Sequence, residues 1–230
     1  MKQLVIVSLG ILVAGAAAAG TIIDIQTGVY AEGTAVTVNE AVVTGVLAEG
    51  FYMSEDPNQP YAGIWVFTGG GHAVATGDLV EVKGAYEEFF GRSQLNVDAD
   101  ATGYVDNLGV HTGAITPMYV SVHQLQSDPE AYESCYVSII DPMQVNATPD
   151  GNGWWSAVSQ MPGGPVLTFD DAWYDASTVM DDDCYCCATG IYSYGSGAFR
   201  LKPFAGAICV IDCSVDTEEL SVSAVKTLFR

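Results

Sequence analysis

The sequence predicts an all-β protein made of two small β barrels in tandem, with a short C-terminal helix or tail. Three observations carry that prediction. Short runs rich in Val, Thr, Tyr and Phe recur along the chain, each cut by Gly, Pro or Asp. No long amphipathic helical pattern competes with them. A spacing also repeats: Gly84, Tyr86 and Leu95 return as Gly190, Tyr192 and Leu201, with the same offsets of two and eleven.

The first residues read as an export signal over 1–19. Lys2 is the lone charge, residues 4–14 are almost wholly apolar, and Ala17-Ala18-Ala19 supplies small residues for cleavage before Gly20. The apolar run is short and rich in Ala and Gly for a membrane span, and the mature chain holds no other candidate. Residues 21–29 read as a strand able to exchange with a neighbour. The first β domain, 20–115, then holds strand patterns at 34–48, 51–54, 62–68, 79–86 and 93–97, with a turn cluster at 55–60. The second, 116–212, holds strands at 132–140, 154–158 and 166–169, and a hairpin of 185–194 and 198–201 over Gly195-Ser196-Gly197. In the segment 213–230, Val222, Val225, Leu228 and Phe229 fall near helical spacing. Lys226 and Arg230 occupy its last turn, which complements a helix dipole.

The chain carries 28 acidic and 7 basic residues, a formal charge of −21. So few cations disfavour nucleic acid as a partner, because a grip on phosphates needs Lys and Arg to displace counterions. The same field repels an anionic membrane surface. The acids fall in short clusters at predicted turns. Asp98, Asp100, Thr102 and Asp106 occupy positions one, three, five and nine of a calcium-loop pattern, but Gly109 stands where a bidentate carboxylate belongs. Asp181, Asp182 and Asp183 form a second acidic run. Calcium is the one cofactor these two clusters suggest.

Six cysteines, Cys135, Cys184, Cys186, Cys187, Cys209 and Cys213, all lie in the second half. An even count in an exported chain points to disulfides. Cys209 with Cys213, and Cys135 with the 184–187 cluster, are the pairings the spacing suggests first, although six cysteines allow fifteen. A thiolate metal site is the rival, but no second Cys-x-x-Cys or nearby His completes a zinc set. Trp154-Trp155 lies in a predicted strand, so one ring faces inward and the other is a candidate for stacking on a ligand. No nucleophile with an adjacent base is present, so no enzyme activity is expected.

Several motifs resemble the OB-type domains that precede the catalytic domain of secreted bacterial nucleases. They are Val42-Val43-Thr44-Gly45, Phe51-Tyr52-Met53, Gly63-Ile64-Trp65-Val66, the run Gly77-Asp78-Leu79-Val80-Glu81-Val82-Lys83-Gly84 and Gln94-Leu95. Thr189-Gly190-Ile191-Tyr192 followed by Phe199-Arg200-Leu201-Lys202-Pro203 resembles the partner domain of those proteins. The resemblance implies two OB-like barrels without the catalytic part. The expectation that follows is a secreted, non-enzymatic structural protein, extracellular or at the cell surface, that assembles with itself or with another extracellular protein. A saccharide- or protein-binding module is the alternative. A third reading, an accessory module for a separately encoded nuclease, requires Lys83, Arg92, Arg200 and Lys202 to form one basic groove.

Overall fold

The residues 35–47 hold Val36 and Val38 inward with Thr37 between them half-buried, the alternation of a strand with one wet face. The computed structural model describes residues 18–213 and builds two seven-stranded sheets from such segments. Residues 1–17 of the expected export signal, and the C-terminal segment beyond Cys213, lie outside the described residues.

The first sheet contains β1 (Ala18–Ala19), β2 (Ala35–Leu47), β3 (Gly50–Ser54), β4 (Gly63–Phe67), β5 (Asp78–Phe89), β6 (Arg92–Asn96) and β7 (Tyr104–Val110). Its order is β1-β2-β3-β4-β6-β5-β7, and β2 also pairs with β5, which closes β2 to β6 into a five-stranded barrel. The second contains β8 (Met118–Val120), β9 (Cys135–Ile139), β10 (Met143–Ala147), β11 (Trp155–Ser159), β12 (Val166–Phe169), β13 (Cys184–Gly195) and β14 (Ala198–Ile211). Its order is β10-β11-β12-β14-β13-β9-β8, closed by β10 on β13. In each barrel the third and fifth strands run parallel, β4 with β6 and β12 with β14, and the remaining neighbours are antiparallel. The protein is therefore all-β, with two tandem OB-like barrels.

The repeated spacing has a structural cause. Tyr86 pairs with Leu95, and Tyr192 pairs with Leu201, at the same place in the two barrels. Gly84 and Gly190 lie two residues earlier, where the long strand crosses a neighbour's backbone. A Cβ on Gly190 would lie 2.1 Å from the Lys202 carbonyl oxygen, and one on Gly84 would lie 3.0 Å from that of Asn96.

Each barrel is also plugged by a short helix, α1 (Ile22–Gln26) and α2 (Val122–Ser127). Residues 21–29 are thus not an exchanging strand. Thr21 and Asp24 form a reciprocal capping box, as do Ser121 and Gln124. Ile22 and Ile25 fill the first barrel beside Phe51, Met53 and Leu95, and Val122 and Leu125 fill the second.

Aromatic packing joins the barrels. Tyr52, Trp65 and Ile191 are buried together between them, against Tyr136, Trp173 and Phe204. The Tyr52 hydroxyl donates to Ser193 Oγ at 3.0 Å, and Trp173 Nε1 donates to the Val46 carbonyl at 2.8 Å. Glu133, fully buried, accepts from the Ser93 backbone N–H at 3.1 Å. These contacts fix how the two barrels face each other. Among the described residues no helix is long and apolar enough to cross a membrane.

Candidate functional site

Two hairpin tips meet at the junction. In the first barrel β5 turns into β6 through Phe90-Gly91, both with positive φ (53° and 85°), between the paired residues Phe89 and Arg92. In the second, β13 turns into β14 through Ser196-Gly197, at φ of 51° and 82°. A two-residue turn with both φ positive suits the twist of a hairpin, and Asn, Asp or Gly normally fills its first position. Phe90 is a bulky exception, which costs about 1–2 kcal/mol in the left-handed region. Its ring is 82% exposed, so burial does not offset that cost. Phe89, 52% exposed, meets it edge-on at 4.8 Å. A strained, exposed aromatic pair with no core to fill points to a ligand.

The tips enclose a cleft of about 640 Å3 lined by Phe89, Phe90, Arg92, Tyr194, Arg200 and Lys202, with Asp170 and the 195–197 backbone. That volume suits a small ligand rather than a duplex. Gly91 lets the tips approach, since a Cβ there would sit 2.9 Å from the Tyr194 ring.

Both guanidinium groups lie over indole rings. The Arg200 guanidinium lies 3.6 Å from the centre of the Trp154 ring and donates to the Gly195 carbonyl at 2.5 Å. It is only 6% exposed, and its Nε has no partner. Arg92 lies 5.0 Å from the Trp65 ring and donates to Gln94 Oε1 at 3.2 Å, again with Nε unpartnered. The cation–π contact restrains each guanidinium, and since both Nε atoms are buried only the terminal N–H groups can meet an anion in the cleft. Lys202 Nζ is 2.9 Å from Asp170 Oδ2. Three cations against one carboxylate give the lining a net charge of about +2, in a chain of −21.

Acidic side chains lie near Arg92. Glu133 Oε1 is buried without a partner. Burial pushes its carboxyl up to about 8, helped by Glu130 and Glu88 and opposed by the Ser93 N–H and Arg92. The Tyr86 hydroxyl donates to Glu88 Oε1 at 2.5 Å, and burial with that contact raises its pKa to about 12.

The residues singled out in the sequence fall as follows. Trp155 faces inward at 2% exposure and stacks on Phe169, with ring centres 5.0 Å apart. Trp154 is the outer ring, and it supports Arg200 instead of standing free for a ligand. Of the four basic residues, Arg92, Arg200 and Lys202 converge. Lys83 does not: it donates to Thr102 Oγ1 and lies 3.7 Å from Asp100 Oδ2.

The structure places the carboxylates of the calcium-loop pattern apart from one another. Asp100 Oδ1 accepts from Thr102 N and Oγ1, and the Thr102 backbone N–H holds its carboxyl below the usual range. Asp106 has moved onto β7, opposite Glu81, while Asp98 stays in the loop. In the second run, Asp182 accepts from Gln144 Nε2 and Asp183 from the Met180 N–H, and Asp181 is exposed. Among the described residues, the one group of three or more His, Cys, Asp or Glu side chains close enough to share an ion is Cys186, Cys187 and Cys209.

The cysteine pairings differ from those the spacing suggested. Cys184 bonds Cys213 and Cys187 bonds Cys209, each across the β13–β14 ladder or its extension. Cys209 and Cys213 do not pair, because each faces β13. Cys135 is a free thiol buried beneath the inter-barrel contact, and Cys186 is a second free thiol. Two disulfides fit an oxidising environment.

No protein-family model matches the sequence. No curated protein matches it either. Among solved structures, the crystal structure of the p204 HINb domain is similar at 12% identity and a TM-score of 0.32, over 75% of this chain and 96% of that one. A murine DNA-binding protein bound with double-stranded DNA is similar at 10% identity and 0.34, over 79% and 98%. Neither comparison concerns bacterial nucleases, and scores this low say nothing of what this chain binds. The structure itself corrects the expected self-assembling structural protein, saccharide module and nuclease accessory: residues 22–26 form a capped helix and not an exchanging strand, Trp154 carries Arg200, and Lys83 lies with Asp100 and Thr102 away from the other three cations. The exclusion of nucleic acid as a partner is corrected by the fold as well. A low cation count does not preclude a local basic site, because the fold gathers three of the few cations into one cleft.

Proposed function

We propose that the chain is a binding module, in an oxidising compartment, for a short single-stranded stretch of nucleic acid held in the inter-barrel cleft. One observation carries this reading: exposed Phe89 and Phe90 at the mouth of a cleft whose floor presents Arg92, Arg200 and Lys202. Every base has a π-face, and stacking on an aromatic side chain contributes about 1–3 kcal/mol per base. Guanidinium edges suit phosphate oxygens. The surrounding charge of −21 repels a long strand, so the site holds only the one or two nucleotides that fit. The two disulfides support the compartment.

Fluorescence anisotropy with a short 5′-labelled oligothymidylate tests the proposal. Phe90→Ala is expected to weaken binding by about 5- to 150-fold, from the loss of one stacked base. Arg200→Ala is expected to weaken it at least as much, and Lys83→Ala to leave it unchanged. Affinity should fall with salt at a log–log slope near −1.4, for about two phosphates on a single strand. Wild-type protein that does not bind, or equal affinity in all four proteins, would remove the basis of the proposal.

A further inference from the structure

Cys209 has two cysteines within reach and bonds one of them. The ladder between β13 and β14 shifts register between Tyr185 and Cys187, so Tyr185 pairs with Val210, Cys187 pairs with Cys209, and Cys186 is the extra residue. A bulge sets two residues of one strand against one of its partner. Here those two are Cys186 and Cys187, and the one is Cys209. The three Sγ atoms all lie within 4.8 Å of one another, and the Cys186 thiol points at the Cys209 carbonyl oxygen, 3.5 Å away. Cys186 is half-buried and free, whereas the other free thiol, Cys135, is buried.

We propose that the bulge is a thiol–disulfide exchange site in which Cys186 and Cys187 alternate as the partner of Cys209. The Cys186 thiolate attacks Cys209 Sγ. The Cys187–Cys209 bond breaks, and its electron pair leaves on Cys187 Sγ, which takes up the proton that Cys186 released to solvent. One thiol and one disulfide stand on each side of the reaction, so no external oxidant or reductant enters. The extra residue moves from Cys186 to Cys187, and the bulge moves by one position. Cys184–Cys213 stays intact throughout and keeps the end of the ladder together. Attack requires the thiolate, and burial raises the Cys186 thiol above its ordinary range, so the exchange speeds up in mildly alkaline buffer.

The test uses the full oxidised chain. It is held in mildly alkaline buffer without reductant and quenched with N-ethylmaleimide, and tandem mass spectrometry then resolves the label between the two adjacent cysteines. The expected result is label on both Cys186 and Cys187, together amounting to one equivalent. Label confined to Cys186 after prolonged incubation would overturn the proposal. A second measurement counts free thiols in Cys187→Ser. The proposal expects one, Cys135, because Cys186 bonds Cys209. Three free thiols would show that Cys186 does not reach its partner. The wild-type measurement stands whether or not the variant folds.

Discussion

Replacing Trp155 with alanine is expected to destabilise the protein by about 3–5 kcal/mol, the range for truncating a large buried aromatic ring. Trp155 is 2% exposed, lies nearly parallel to Phe169 and touches Tyr174, while Phe169 meets Tyr185 edge-on. Its removal leaves a cavity in a layer of rings that β11, β12 and β13 cannot close, because the barrel's hydrogen-bond register fixes their spacing. A net stability of about 5–15 kcal/mol is typical of a domain, so most of the margin would go. Trp154→Ala, one residue earlier, should cost less, about 1 kcal/mol, since that ring lies outside the core, only partly buried, and mainly supports Arg200. Urea denaturation followed by near-ultraviolet circular dichroism separates the two. Equal losses would mean that the inward and outward assignments are wrong.

Stability should fall as pH rises from about 4.5 to about 8, and Glu133→Gln should flatten that fall. The buried Glu133 carboxyl titrates near 8 in the folded protein, against 4.5 as its ordinary value. Between those limits the folded state holds a proton that the unfolded state has lost, so each step up in pH favours unfolding. The stabilisation is complete below 4.5 and is lost as pH passes 8. A gap of that size corresponds to at most about 4–5 kcal/mol. Gln keeps an acceptor for the Ser93 N–H and removes the charge, so the variant should be the more stable protein at alkaline pH. Parallel thermal melts of both proteins across that range decide the point. Identical profiles would place the titration elsewhere.

Much of the fold was legible because it rests on local alternation and turn chemistry. The observed strands Ala35–Leu47, Gly50–Ser54 and Val166–Phe169 lie close to the runs read from sequence, and the turn through Ser196-Gly197 was readable from its glycines. The Gly–Tyr–Leu spacing marked a real equivalence, since both Tyr–Leu pairs sit at matching rungs. The short helices were overlooked although Thr21-x-x-Asp24 and Ser121-x-x-Gln124 are readable caps, because Ile22, Ile23 and Ile25 look strand-like when read alone. The strand Tyr104–Val110 was masked by the acidic spacing around it.

The site was only partly legible. Sequence reasoning named Arg92, Arg200 and Lys202 but could not bring them together, because they come from two barrels whose facing depends on the packing of Tyr52, Trp65 and Ile191. Phe89 and Phe90 fell between the strand runs 79–86 and 93–97 and drew no role. The missed signal was Phe-Phe-Gly at a hairpin tip, where a small or polar residue should precede the glycine. The disulfides were legible in kind but not in number or pairing: two form where six cysteines suggested three, Cys135 and Cys186 stay free, and the pairing depends on a bulge that leaves no mark in spacing.

The central claim is that the two hairpin tips form one ligand site. The most direct measurement is nitrogen-15 chemical-shift mapping of the protein titrated with a short oligothymidylate. The account predicts that the perturbed amides fall at 89–92 and 194–202, with shifts in the indole N–H signals of Trp65 and Trp154 beneath the two arginines. Perturbations centred on the β7 edge or scattered over both barrels, with the tips unmoved, would contradict it.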